Sequence, residues 1–172
     1  TLNIVRIGTS GSVQADIPVD SFVISEKSIG CDGVLRFYAN NESVCDHPFE
    51  EAFIRHCRWT PSAARPYVVN ADPGLVDRLY DEEHTIKGVT LTAVGFYGPQ
   101  GRVLRLPLAM PGINDRITAF RYEGYKVTNY EMESAAITGL CNLLGHRAAT
   151  ICLIIANRIN GDASADYHSY MN

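Results

Sequence analysis

The stretch Asn129-Tyr130-Glu131-Met132-Glu133-Ser134 lies where a predicted strand, Lys126-Val127-Thr128, passes into a predicted helix. Apolar residues recur at steps of four, four, three and one and form one face of that helix: Met132, Ala136, Leu140, Leu143 and Leu144. Gly145 is expected to be its C-cap. Glu131 and Glu133 are therefore expected at the carboxyl end of a strand, where α/β folds usually bind their ligands. The alternative is that both glutamates only complement the positive end of the helix dipole.

Predicted strands alternate with predicted helices along the rest of the chain, which favours an α/β fold with a mostly parallel or mixed sheet. The predicted strands lie at 2–7, 20–29, 90–94 and 148–156, and the predicted helices at 49–57, 72–80 and 113–122. In the second helix, Asp72 is the expected N-cap and Pro73 occupies the first helical position. The tail from 159 to 172 is polar and is expected to be mobile or incomplete.

Composition narrows the class of protein. A length of 172 residues fits one domain with a sizeable core, and the formal charge of −4 argues against a general nucleic-acid binder. The five cysteines are odd in number and contain no C-x-x-C pair, so we expect reduced thiols and a cytoplasmic location. No apolar run approaches the roughly 18 residues that a membrane-spanning helix needs, so no membrane partner is expected. We predict a single domain over 1–172, incomplete at both termini, because the chain begins at Thr1 inside a strand-like run.

The first predicted strand is followed by Gly8-Thr9-Ser10-Gly11-Ser12, which is expected to form a small-residue loop. Such a loop exposes backbone N–H groups and hydroxyls that suit an anion, and Arg6 adds a guanidinium fork that matches phosphate oxygens. The spacing fits neither a Walker loop nor G-x-G-x-x-G, so neither ATP nor a dinucleotide is implied. Most loops of this composition are only turns, and that interpretation stays open.

A second cluster, Phe96-Tyr97-Gly98-Pro99-Gln100-Gly101-Arg102, follows another predicted strand. An aromatic ring, an amide and a guanidinium in this arrangement can stack on a flat base and hydrogen-bond its edge. The alternative is an ordinary turn with a solvated Arg102. No G-x-S-x-G, H-E-x-x-H or zinc-spaced cysteine–histidine pattern occurs, so we predict no metal site and assign no catalytic role to the histidines.

Four short motifs occur in the order and rough spacing of one known family: Arg6 to Gly11, Phe96 to Arg102, Asn129 to Ser134, and Ile155-Ala156-Asn157-Arg158. Together they resemble the uridine phosphorylases of the nucleoside phosphorylase-I family. The resemblance implies a three-layer α/β sandwich with a central mixed β-sheet flanked by helices. It also implies reversible phosphorolysis of the N-glycosidic bond of uridine to uracil and ribose 1-phosphate, in dimers or hexamers with shared active sites. Inorganic phosphate is the co-substrate, and no cofactor is expected.

The resemblance assigns roles by motif position, with Arg6, Thr9, Gln100, Arg102 and Glu133 as the catalytic set. Phosphate would be bound by Arg6, Gly8 and Thr9. The ribose would be contacted by Glu131, Met132 and Glu133. The base would lie among Phe96, Gln100, Arg102, Ile155, Ala156 and Arg158.

These residue types suit the chemistry that the resemblance implies. Cleavage of the glycosidic bond builds negative charge on the departing base, which donors from Gln100 and Arg102 would stabilise as it develops. Purine-cleaving relatives carry an aspartate just after the final core strand, whereas here no carboxylate follows that strand before Asp162. Three alternatives remain: a purine nucleoside phosphorylase, a nucleosidase, or a non-catalytic nucleoside-binding fragment. Family members also have an upstream phosphate-binding segment that precedes the first motif, and it does not occur in this sequence.

Overall fold

A computed structural model describes residues 1–171, and Asn172, the last residue of the predicted tail, lies outside them. Its strands are β1 Asn3–Ser12, β2 Phe22–Gly30, β3 Tyr67–Asn70, β4 Thr85–Thr92, β5 Arg121–Tyr122, β6 Tyr125–Glu131, β7 Arg147–Asn157 and β8 Asp162–Ala163. Its α-helices are α1 His47–Cys57, α2 Pro73–Leu79, α3 Ile113–Ala119 and α4 Ser134–Leu143. Short 3₁₀ helices span Val34–Phe37, Asn41–Val44, Gly98–Gln100 and Tyr167–Tyr170.

The strands form a mixed sheet in the order β3-β2-β4-β6-β1-β7-β8. Strand β1 runs parallel to β7, and β4 runs parallel to both β2 and β6, while β2 and β3 are antiparallel. A further antiparallel pairing joins β2 to β7, so five of the strands close into a ring. The mixed α/β sheet predicted from the sequence is confirmed, and its closure brings β2 beside β7.

Helices cover both faces of this sheet, which confirms the three-layer arrangement. Strand β3 shows the two faces directly, because its side chains alternate. Val68 packs in a core cluster with Phe49 of α1 and Ile117 of α3, whereas Val69 packs with Ala135 of α4 in a separate cluster. Burial of these apolar side chains on the two faces fixes the helices against the sheet.

The predicted loop from Gly8 to Ser12 is wrong, because these residues continue strand β1. Every residue from Asn3 to Ser12 pairs with β7, with one register shift between Ser10 and Gly11. Pairing with a long apolar partner strand therefore overrides the turn preference of the two glycines. Strand β1 pairs with β6 only at Gly11 and Ser12, so its earlier residues run past the end of β6.

Several other boundaries differ from prediction, and the strand predicted from residue 90 already begins at Thr85. The helix predicted to Tyr122 ends at Ala119, because Arg121–Tyr122 pairs with β6 across a turn in which Glu123 and Gly124 both have positive φ. The helix expected from Met132 begins at Ser134. The strand expected to reach Val94 ends at Thr92. The expected mobile tail contains strand β8 and a 3₁₀ helix.

A buried polar network ties three strands together beneath the end of β6. The Asn129 amide oxygen accepts hydrogen bonds from Thr90 at 2.9 Å and Thr128 at 2.8 Å. Its amide nitrogen donates to the Ser10 hydroxyl at 3.0 Å. Because these groups are buried and paired, the network holds β1, β4 and β6 in a single relative position.

Candidate active site

The twelve side chains predicted to form a site all line one cavity of about 490 Å³. They come from β1, from the segment after β4, from the junction of β6 and α4, and from the end of β7: Arg6, Gly8, Thr9, Phe96, Gln100, Arg102, Glu131, Met132, Glu133, Ile155, Ala156 and Arg158. Ser10, Gly11 and Tyr130 complete the lining and had been assigned no role from the sequence. The cavity exists because β1 runs past the end of β6 and lies beside β7.

Arg6 is the arginine of the cavity that contacts its two glutamates. Its guanidinium forms an ion pair with Glu133, lies 3.2 Å from a carboxylate oxygen of Glu131, and donates to the sulfur of Cys152 at 3.2 Å. The guanidinium lies over Gly8, where a Cβ atom would come within 2.9 Å of it. Burial by itself would lower the pKa of Arg6, and the neighbouring Cys152 and carboxylates raise it instead. The group is therefore a fixed cation, held ready for an anion.

Cys152 is the member of this cluster that sequence motifs did not indicate. It lies on β7, directly opposite Gly8 in the strand register, and is fully buried. Burial raises the pKa of the Cys152 thiol to about 11. The sulfur is therefore neutral near pH 7 and serves as a weak acceptor for Arg6. Only the parallel pairing of β1 with β7 could have identified it.

The two glutamates at the start of α4 have different environments. The Glu133 side chain is 54% exposed and opens into the cavity, whereas that of Glu131 is 1% exposed. Glu131 accepts hydrogen bonds from the backbone N–H groups of Glu133 and Ser134, both at 2.8 Å. The helix-dipole interpretation thus describes Glu131 well, while Glu133 keeps a carboxylate accessible beside Arg6.

A second cluster in the cavity consists of two guanidinium groups around one amide. The Gln100 side-chain oxygen accepts from Arg102 at 2.8 Å and from Arg158, and Gln100 is only 3% exposed. The 3₁₀ helix Gly98–Gln100 orients it, and Gly101 ends that helix with φ 71°. Arg102 stacks on the Phe96 ring at 3.8 Å, and Arg158 lies 4.5 Å from the Tyr130 ring centroid. Burial, followed by the proximity of Arg102, lowers the pKa of Arg158 to about 10.

The cavity is therefore lined by two polar clusters, one around Arg6 with the accessible Glu133 carboxylate and one around Gln100. Met132, Phe96, Ile155 and Ala156 supply apolar surface to the same cavity. Guanidinium and amide groups are the donors that recognise phosphate oxygens and the polar edges of a base. A ligand with an anion, a hydroxylated ring and a planar base would match these groups.

A larger cavity of about 770 Å³ lies on the other side of Arg102 and Tyr130. Its lining is mostly apolar and includes Trp59, Leu106 and Met110. Within residues 1–171, no group of three or more His, Cys, Asp or Glu side chains could hold a metal ion. All five cysteines are free. No helix in the described part of the chain is long and apolar enough to cross a membrane.

A sequence model of the phosphorylase superfamily matches residues 2–171. Uridine phosphorylase A of Schistosoma mansoni is 36% identical over 160 residues, which cover 92% of this chain and 49% of that protein. Inactive uridine phosphorylase B of the same organism is 36% identical over 87 residues, covering 45% of this chain and 26% of its own length. The chain spans about half the length of the relatives that match most of it.

Among solved structures, a Trypanosoma brucei nucleoside phosphorylase reported with uridine phosphorylase activity superposes with a TM-score of 0.82. The match covers 98% of this chain and 59% of that one, at 24% sequence identity. At this identity the likeness concerns the fold, and it agrees with the three-layer α/β arrangement described above.

Proposed function

Because the chain belongs to the phosphorylase superfamily, we propose that it cleaves the N-glycosidic bond of uridine with inorganic phosphate, giving uracil and ribose 1-phosphate. The observation that carries the proposal is that two separate polar clusters line one cavity: Arg6 with Glu131 and Glu133, and Gln100 with Arg102 and Arg158. In the proposed complex the first cluster would contact phosphate and ribose, and the second would contact the base.

At the phosphate end, Arg6 would contact two phosphate oxygens, and the Thr9 hydroxyl and the strand at Gly8 would contribute further hydrogen bonds. In the described structure Arg6 is paired with Glu133. Phosphate would therefore replace a carboxylate as the partner of the guanidinium and leave Glu133 available as an acceptor. The bound phosphate would attack the anomeric carbon, so that side chains act mainly by positioning the reactants.

Beside Arg6, Glu133 would accept hydrogen bonds from the ribose hydroxyls while Met132 packs on the sugar. In the second cluster, Gln100, Arg102 and Arg158 would stabilise the negative charge that develops on uracil. Two cationic side chains meet at the Gln100 amide, and each lies over an aromatic ring. This environment favours an anionic leaving base over a neutral one.

The cavity favours a pyrimidine over a purine. Its described lining contains no carboxylate besides Glu131 and Glu133, and both of these contact Arg6. Asp162, the first carboxylate after the core strand, is exposed on β8 and does not line the cavity. A purine ring nitrogen would therefore lack an acid to protonate it.

A non-catalytic nucleoside-binding protein is the second candidate, because one relative with 36% identity is named as inactive. A cytoplasmic location and an assembly into dimers or hexamers with shared sites also stay predictions. Size-exclusion chromatography with light scattering would measure the assembly.

The test of the proposed function is the release of uracil from uridine by the purified chain, with and without phosphate. We expect phosphate-dependent cleavage of uridine and little or none of inosine or adenosine. Gln100→Ala and Arg102→Ala should each depress uridine turnover, since buried donors to the base would be lost. Arg105→Ala is the matched control, because this exposed arginine lies three residues further on and does not line the site.

The phosphate assignment is tested separately by Arg6→Ala. Loss of a charge-assisted contact should cost about 2–3 kcal/mol and raise the KM for phosphate most. Equal cleavage of inosine and uridine would contradict the base assignment. A rise confined to the KM for uridine would contradict the phosphate assignment. Binding of uridine without any cleavage would favour the non-catalytic candidate.

A further inference from the structure

Glu131 is the most heavily engaged side chain of the candidate site. One carboxylate oxygen accepts from the hydroxyls of Thr92 at 2.5 Å and Ser134 at 2.7 Å. The other accepts from the backbone N–H groups of Glu133 and Ser134, both at 2.8 Å, and lies 3.2 Å from the Arg6 guanidinium. Five donors thus surround a carboxylate that has about four lone-pair positions. No acceptor capacity is left for a sugar hydroxyl.

The contacts of Glu131 join the two charged groups that face the cavity. Towards β1 it holds one arm of Arg6, whose guanidinium is also contacted by Cys152. Towards α4 it accepts a hydrogen bond from the backbone N–H of Glu133, the residue just before the helix. This contact fixes the direction in which the Glu133 side chain leaves the backbone. Strand pairing supports this position, because Glu131 lies opposite Thr92 in the register of β4 and β6.

We propose that Glu131 is a positioning residue that orients the phosphate-binding arginine and the neighbouring carboxylate, without touching the sugar. This inference rests on the proposed function and replaces the ribose contact that the family resemblance implied for Glu131. Its effect should appear in the affinity for phosphate, because without Glu131 the Arg6 guanidinium loses a contact that fixes its orientation.

Two other roles of Glu131 would change different measured quantities. A direct ribose ligand would affect the preference for uridine over 2′-deoxyuridine, since that preference reports contacts to the 2′-hydroxyl. A helix cap without functional influence would affect only the stability of the fold. The three roles therefore separate into three measurable quantities.

The experiment compares Glu131→Gln with Ser134→Ala in the full chain. Both remove a hydrogen-bond partner at the same junction, but only the first removes the charge that faces Arg6. The measurements are the Kd of inorganic phosphate and of both nucleosides by calorimetry, and urea unfolding for stability. Glu133→Gln serves as the reference for loss of a sugar contact.

We expect Glu131→Gln to weaken phosphate binding at least tenfold and to leave the ratio of uridine to 2′-deoxyuridine affinity within twofold of the wild type. Ser134→Ala should lower stability and change phosphate affinity less than threefold. If Glu131→Gln does not fold, Glu131→Asp replaces it. This variant keeps the charge but shortens the side chain by one methylene group, which moves the carboxylate away from Arg6, and the same loss of phosphate affinity is expected.

Unchanged phosphate affinity in both Glu131 variants would overturn the inference. It would also be overturned if the ratio of uridine to 2′-deoxyuridine affinity fell to the value measured for Glu133→Gln. Absence of phosphate binding by the wild type would overturn it too. These are binding measurements, so a wild type that binds both ligands without cleaving uridine would contradict the proposed function and leave this inference standing.

Discussion

Replacement of Gly8 by alanine should separate the stability of the fold from the affinity for phosphate. Gly8 lies in β1, and a Cβ atom there would come 2.8 Å from both terminal nitrogens of Arg6 and 2.9 Å from its central carbon. Ordinary contacts between such atoms are about 3.5 Å, so the guanidinium must retreat by about 0.7 Å. The guanidinium is the far end of a flexible side chain and can make that shift, but its 3.2 Å contacts with Cys152 and Glu131 would lengthen.

The magnitude follows from the contacts that would be lost. One hydrogen bond to a charged group contributes about 1.5–3 kcal/mol, which corresponds to about 10- to 150-fold in an equilibrium constant. Gly8 is not among the glycines with positive φ, so its backbone accepts alanine without strain. Glycine in a strand is less favourable than alanine by about 0.5–1 kcal/mol. We therefore expect the phosphate KM to rise at least tenfold while stability holds or increases slightly.

The assay is the phosphate dependence of uridine cleavage at saturating uridine, together with urea unfolding of the same preparation. Ile7→Ala is the control, because Ile7 is the preceding residue of β1, is 66% exposed and does not line the cavity. An unchanged phosphate KM in Gly8→Ala would refute the reasoning. So would a loss of stability large enough to explain the loss of activity.

Three further predictions concern the sugar, the core and pH. Glu133→Gln should lower kcat/KM for uridine about tenfold or more, because a neutral amide is a weaker acceptor; full activity would leave Glu133 with only a helix-terminal role. Gly30→Ala should destabilise the fold by about 1–3 kcal/mol in urea unfolding, because a Cβ there would overlap the buried Tyr67 ring; unchanged unfolding would contradict this packing. The hydrogen bond to Glu50 raises the pKa of His47 in the folded state, so the stabilisation lost in His47→Gln should be largest near pH 5 and decline as pH rises through the folded pKa. A difference between the two proteins that is constant from pH 5 to pH 8 would contradict that assignment.

Local signals in the sequence determined the helices well. Helix α2 begins where Asp72 and Pro73 predicted, and the Asp72 carboxylate accepts from the Leu75 N–H at 2.9 Å. Gly145 follows α4 with φ 69°, as expected of a residue just past a helix end. Caps and apolar periodicity act over one or two turns, so a single stretch of chain contains the whole signal.

The β1 strand shows what local signals could not decide. Gly8 to Ser12 has the composition of a turn, yet residues 147–157 pair with this strand along its length. The partner lies more than a hundred residues away, and the free energy of its pairing and burial exceeds the local preference of two glycines. The same distance hides Cys152, which contacts Arg6 only because the two strands are in register.

The candidate site divides in the same way. The motif resemblance identified twelve residues that line the cavity, because each motif is a short continuous stretch of the chain and can be recognised without knowledge of the fold. Only the tertiary structure distinguished the two glutamates of the central motif. Glu131 is enclosed by five donors from three segments of chain, whereas Glu133 opens into the cavity. The sequence determined which side chains are available. The pairing of β1 with β6 and β7 decided which of them meet, because burial and hydrogen-bond saturation depend on neighbours that are remote in the chain.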